Sequence, residues 1–188
     1  MSAETIAQRL LTTARNYERL TESAAVIAAA AAALCACIRA GGKVLFCGNG
    51  GSAADAEHFA AELTGRFLRD RKPLAGLALV CNAPTVTAVA NDYGFEAVFE
   101  RQVRAIGRPG DALVGISTSG NSPNVVNALR AAGELGMVTV ALTGAHDAAA
   151  DAYADHRLKV PSSETPRIQE MHLAVGHILC ELIEDALG

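Results

Sequence analysis

The sequence predicts an α/β fold: a doubly wound parallel sheet of five strands in flavodoxin-like order, preceded by a helical extension. Three observations carry this expectation. From Lys43 onward, short apolar runs alternate with helical stretches, the pattern of strand–helix units joined by right-handed crossovers. The first run, Val44 to Cys47, reads as a strand covered on both faces and leads into a glycine-rich turn. Over 188 residues, 51% apolar and 19% charged side chains are enough for a large core and leave no disordered linker.

Residues 3–20 form the first helix, with Ile6, Leu10 and Tyr17 at helical spacings. Residues 23–40 form a second, Ala-rich helix ended by Gly41-Gly42. Residues 1–41 are not needed to complete a parallel sheet. Their small Ala faces suit close packing, so they are expected to pack against another subunit. Residues 42–188 form the α/β core, and the whole chain is expected to be a single domain. Strand one is 43–47, and its helix, capped by Ser52, is 52–68. Strand two is 74–80. Pro84 opens a short helix to Asn91, and another covers 95–106. Strand three is 111–117, and Ser122-Pro123 opens a helix that runs to Leu135. Strand four is 137–142, strand five 156–160, and a long final helix spans 165–187. Ligands of such sheets lie beyond the strand C-termini, where the strand order switches. That rule points to the loops 48–52, 81–84, 117–122 and 143–147.

Composition removes several classes of function. Net charge is −4, aromatics are 4%, Trp is absent and no basic run occurs, all against a nucleic-acid partner. Five cysteines (35, 37, 47, 81 and 180) without framework spacing suit a reducing cytoplasm. No charged-then-apolar leader pattern is present, and the most apolar run, Ala24 to Ala36, is short of the ~20 residues of a membrane span. The expectation is a cytoplasmic protein with no membrane partner.

Three stretches carry chemistry. Gly48-Asn49-Gly50-Gly51-Ser52-Ala53 matches the pattern G-x-G-x-x-[GA]. A dinucleotide site also wants an acidic residue after the second strand, and here that strand ends Val80-Cys81-Asn82. The turn therefore reads as an anion cradle at a helix N-terminus. Behind it, His58 and Glu62 stand four residues apart on one helix face. The second stretch holds four hydroxyls in six residues, Ser117, Thr118, Ser119 and Ser122, a further anion cradle. The third opens the last helix with Arg167, Gln169, Glu170 and His172, with His177 deeper in an apolar stretch. A lone His there is ordinarily a core residue and acquires a role only beside partners.

Taken together, five motifs resemble those of the bacterial phosphoheptose isomerase family of the sugar-isomerase (SIS) domain superfamily. They are Gly48-Asn49-Gly50-Gly51-Ser52, His58-x₃-Glu62-Leu63-Thr64-Gly65-Arg66, Asn91-Asp92-Tyr93-Gly94, Ser117 to Ser122, and Arg167-Ile168-Gln169-Glu170 with His177. The resemblance covers nearly the whole chain. It implies a cytoplasmic homotetramer with active sites between subunits that converts sedoheptulose 7-phosphate to D-glycero-D-manno-heptose 7-phosphate. It implies Glu62 and His177 as the acid/base pair, and His58, Glu62, Gln169 and His177 as ligands of one zinc per subunit. It implies substrate contacts from Asn49, Gly50, Gly51, Glu62, Asn91, Asp92, Ser117, Thr118, Ser119, Ser122 and Gln169.

Spacing constrains that implied zinc set. Gln169 and His177 are eight residues apart, roughly 12 Å along a helix. Both reach one ion only if they lean together or come from different subunits. The rival reading is a non-catalytic relative, a sugar-phosphate sensor or a regulator that binds the replication initiator. The presence of both Glu62 and His177 favours the enzyme.

Overall fold

The computed structural model describes residues 2–188. Its strands are β1 (Val44–Gly48), β2 (Gly76–Ala78), β3 (Ala112–Ile116), β4 (Val138–Thr143) and β5 (His156–Lys159). All pairings are parallel, in the order β2-β1-β3-β4-β5, as the sequence predicts. The strand order switches between β1 and β3, so the loops that follow these two strands part there and leave a crevice.

Helices cover both faces. They are α1 (Ala3–Leu20), α2 (Ala24–Arg39), α3 (Gly51–Thr64), α4 (Ala83–Tyr93), α5 (Val98–Ile106), α6 (Pro123–Glu134) and α7 (Thr165–Leu187). Against one face, Ile27 and Leu34 of α2, Phe59 and Leu63 of α3, and Met171 and Leu179 of α7 pack on Phe46, Val114 and Leu142. Against the other, Phe99 and Val103 of α5 and Val125 and Leu129 of α6 pack on Leu45 and Leu113. Every residue of β1 and β3 is buried, which explains their unbroken apolar runs.

The N-terminal helices divide in a way the sequence does not predict. α2 buries Ile27, Ala30, Ala31, Leu34, Cys35 and Cys37 and helps cover the sheet. Only α1 is an extension, with Leu20 as its single buried residue. The helical run Ala3–Arg39 also contains a window long and apolar enough to cross a membrane, contrary to expectation, because α1 and α2 are nearly continuous. One side of α2 packs on the sheet and on α7, and 33% of that window is buried.

Three boundaries differ for physical reasons. β2 is an edge strand and is shorter than 74–80, since β1 alone pairs with it. Ser52 is not a cap: Gly50, at φ 56°, takes that place, and Ser52 lies buried inside α3. α3 stops at Thr64 rather than 68, because residues 67–69 turn their backbone N–H groups onto Glu184.

His172 is fully buried on α7, and neither ring nitrogen has a hydrogen-bond partner; the Thr143 backbone offers only a poorly aligned contact. Burial lowers its pKa from 6.5 to about 4. As pH falls from 6.5 toward 4, the unfolded chain takes up this proton and the folded chain does not, so stability is lost across that window. The loss is on the order of 3 kcal/mol by pH 4. In thermal unfolding, His172→Leu is expected to lose less Tm than the wild type between pH 7 and 4.5. An equal fall in both would remove His172 from the acid response.

Candidate active site

Side by side on one face of the sheet, α3 and α7 bring together residues 119 positions apart in sequence. His58 Nε2 lies 3.1 Å from His177 Nε2 and 3.1 Å from Glu62 Oε1. The apolar walls fix His177: Phe67 stands 5.6 Å from its ring and Phe59 6.5 Å, between centroids. The approach of the helices depends on Gly176, where a Cβ would fall 1.9 Å from Phe59 Cζ.

Asp55 is a residue the sequence reading passes over. It precedes His58 by three residues and shares its face, a spacing that could have revealed it. Its Oδ2 is buried without a partner. Burial raises the Asp55 carboxyl, and the neighbouring imidazoles of His58 and His177 pull it back.

Gln169 lies elsewhere. A Cβ on Gly51 would fall 2.6 Å from Gln169 Nε2, so this side chain rests on the glycine turn. From there the paired imidazoles are about 10 Å further along the helices at 1.5 Å per residue. Within one subunit, Gln169 does not lean toward His177.

Does this donor set suit a metal? Two imidazole nitrogens 3.1 Å apart need either a shared proton or a cation between them. Tetrahedral zinc, with bonds near 2.0–2.1 Å, would hold its ligand atoms about 3.3 Å apart. The two His58 contacts approach edges of such a sphere. They do not close one: among the described residues no group of three or more His, Cys, Asp or Glu side chains is placed to hold a metal ion. The Asp55 oxygen nearby is buried without a partner. His58, Glu62 and His177 are zinc-type donors and the two His58 contacts have near-ligand spacing, but the three do not form a metal position as they stand, and Gln169 of the same subunit lies away from them.

The glycine turn satisfies itself more than the sequence suggests. Ser52 N–H donates to Asn49 O, and Ala53 and Ala54 N–H donate to Gly50 O. Asn49 is also committed: its amide exchanges two hydrogen bonds, of 2.9 and 2.8 Å, with that of buried Asn124. Asn124, missed in the sequence, ties the loop after β1 to the first turn of α6 across the crevice.

The hydroxyl loop is wrapped around Gly120. Ser117 Oγ accepts from Gly120 N–H at 3.1 Å and lies 3.0 Å from Ser122 Oγ. Gly120 has φ 65°, and a Cβ there would fall 2.4 Å from Ala148 Cβ, so only glycine fits. Thr118 and Ser119 line a cleft of about 240 Å³ completed by Gly144, His146, Ser162, Ser163 and Thr165. The last three hydroxyls follow β5, and the strand-end rule that found the other loops could have found them. A larger groove of about 480 Å³, lined by Tyr17, Leu20, Ile27, Ala174, Ile178 and Leu182, is almost wholly apolar and has nothing to hold a sugar phosphate. Asn91 and Asp92 hydrogen-bond to each other at 2.8 Å on the exposed end of α4 and to no other expected site residue among those described.

α1 reaches this site through the start of α7. Thr13 Oγ1 donates to Glu170 Oε2 at 3.2 Å, and Tyr17 O–H donates to the Glu170 carbonyl at 3.0 Å. Arg167 pairs with Glu170 at 2.9 Å and also donates to Thr13. Gln169 lies between Arg167 and Glu170 in the sequence, with its side chain on Gly51.

The SIS domain model matches residues 11–144. The phosphoheptose isomerase of Rhodospirillum rubrum is 57% identical over 176 residues, 94% of each chain. The chain belongs to the phosphoheptose isomerase family. Two solved structures of this family agree with the fold along its full length. The phosphoheptose isomerase of Neisseria gonorrhoeae is 44% identical, with a TM-score of 0.91 over 97% of this chain and 98% of its own. That of Francisella tularensis is 37% identical, with a TM-score of 0.94 over 98% of this chain and 100% of its own.

Proposed function

We propose that this protein is a ketose–aldose isomerase that converts sedoheptulose 7-phosphate to D-glycero-D-manno-heptose 7-phosphate. Its product would feed nucleotide-activated heptose for glycoconjugates such as lipopolysaccharide. The observation that carries the reading is the His58–Glu62–His177 cluster within a phosphoheptose isomerase framework. A protein that only senses a sugar phosphate needs the hydroxyl cleft and not this cluster.

The reaction moves one proton from C1 to C2 and another between O1 and O2 through an enediol. In the proposed mechanism the 117–122 loop and the cleft hydroxyls hold the phosphate, and Gly50 and Gly51 approach the sugar through their backbone. Glu62 takes the C1 proton and returns it to C2, while His177 carries the proton between the oxygens. His58 holds both groups in register through its two contacts. Zinc, when held by His58, Glu62 and His177, would supply positive charge that polarises the substrate oxygens.

Gln169, Asn91 and Asp92 would join the site from a neighbouring subunit of a cytoplasmic homotetramer. Exposed Ile6, Leu10 and Leu11 on α1 and the apolar groove beside α7 support such packing. Light scattering is expected to give four times the 19.4 kDa chain mass. A monomer would leave Asn91 and Asp92 outside the site and Gln169 on the glycine turn, away from the paired imidazoles.

The deciding experiment supplies purified protein with sedoheptulose 7-phosphate and follows the aldose. Binding of the phosphosugar without turnover would favour the sensor. Elemental analysis without chelator tests the zinc. Asn124→Ala, which leaves the Asn49 amide unpaired, is expected to cost about 1–3 kcal/mol and to raise KM more than it lowers kcat. Unchanged KM and Tm would show that the loop after β1 and α6 hold their spacing without it.

A further inference from the structure

The acid/base helix ends in a cap that no part of the mechanism uses. Glu62 lies in the last turn of α3, where the terminal carbonyls have no helical partner. Arg71 supplies one: its guanidinium donates to Glu62 O at 2.7 Å, Leu63 O at 2.9 Å and Gly65 O at 3.4 Å. The Arg71 side chain is only 3% exposed and faces Glu184, 2% exposed, with Nε 3.1 Å from Oε1. That contact is an ion pair rather than an aligned hydrogen bond.

Glu184 in turn accepts the N–H groups of Phe67, Leu68 and Arg69 at 3.1, 2.8 and 3.0 Å. Burial alone would raise its carboxyl, but these donors and Arg71 outweigh burial and hold it below the usual carboxylate range. The pair is therefore charged. Glu184 lies two turns beyond His177 on α7. One buried bridge thus joins the end of the helix that presents His58 and Glu62 to the helix that presents His177.

Buried ion pairs stabilise poorly compared with apolar side chains of the same volume. Stability alone is a weak reason for this one. We propose that the Arg71–Glu184 pair is a positioning device that sets the register of α3 against α7, and with it the His58–Glu62–His177 geometry, a role that rests on the isomerase reading above.

The test replaces the pair by apolar groups in the double variant Arg71→Met/Glu184→Leu. Turnover of sedoheptulose 7-phosphate is measured beside the imidazole ¹⁵N signals of His58 and His177, which report their Nε2 contact independently of activity. The double variant leaves the carbonyls of Glu62, Leu63 and Gly65 and the N–H groups of Phe67, Leu68 and Arg69 without these partners and is expected to lose Tm; measured where it remains folded, it is expected to lose about 10- to 100-fold in kcat with KM within about twofold, and to show both imidazole signals shifted. Wild-type kcat with unshifted signals would overturn the proposal. If the double variant does not fold, Arg71→Lys takes its place with the same two readouts and the same overturning result. It keeps the charge and lacks the fork that spans the three carbonyls. A wild type without turnover would defeat the isomerase reading alone, and the imidazole signals would still decide the positioning.

Discussion

Glu62→Gln and His177→Ala are each expected to lower kcat by about 10²- to 10⁴-fold, the usual range for a positioned acid or base. The Gln variant is the sharper one. It keeps the volume of Glu62 and an oxygen that can face His58, and removes only the capacity to take a proton from carbon. His177→Ala removes one imidazole of the 3.1 Å pair and opens space between Phe59 and Phe67. Neither side chain belongs to the buried core, so circular dichroism and Tm should stay near the wild type. The two losses should not multiply in the double variant, because both groups serve one proton-transfer sequence. Steady-state kinetics with sedoheptulose 7-phosphate checks both, and full activity in either variant would remove that residue from the mechanism.

The second large effect concerns a residue with no side chain. Gly176→Ala would put its Cβ 1.9 Å from Phe59 Cζ, and Phe59 is 2% exposed, with Phe46 set edge-on at 6.2 Å. The void of about 10 Å³ beside the ring is far smaller than the displaced edge needs. α7 must therefore move off α3, which costs at least the upper end of the about 1–3 kcal/mol typical of overpacked cores. The same movement separates His177 from His58. Lower Tm and loss of turnover are expected together. Phe59→Leu, which vacates the colliding ring atoms, is expected to restore part of the Tm of Gly176→Ala. A Gly176→Ala protein with wild-type Tm and kcat would mean that the helices are not held by this contact.

Element types and strand order are legible in the sequence because they follow from local periodicity and from the strand–helix alternation. The end of α3 is not. It depends on Glu184, more than a hundred residues later, which takes the N–H groups that would have continued the helix. Ser52 looks like a cap by residue type, but Gly50, with its positive φ, takes the cap position two residues earlier. His58, Glu62 and His177 are recognisable by chemistry, yet only the packing of α3 on α7 makes them one group. Asn124 and Gly176 are silent in the sequence. One is an Asn among the many that open helices, the other a glycine in mid-helix whose reason is a ring on another element. Gln169 shows the converse: the family resemblance puts it in one zinc set with His177, and helix geometry keeps the two apart within a subunit.

The clasp between α1 and α7 has a practical consequence for handling the protein. Thr13 and Tyr17 grip Glu170, one residue from Gln169, so whatever disturbs α1 is felt at the turn where Gln169 meets Gly51. An affinity handle fused ahead of Ser2 loads that helix directly. One fused after Gly188 hangs from the far end of that helix, about 27 Å from Glu170 at 1.5 Å per residue.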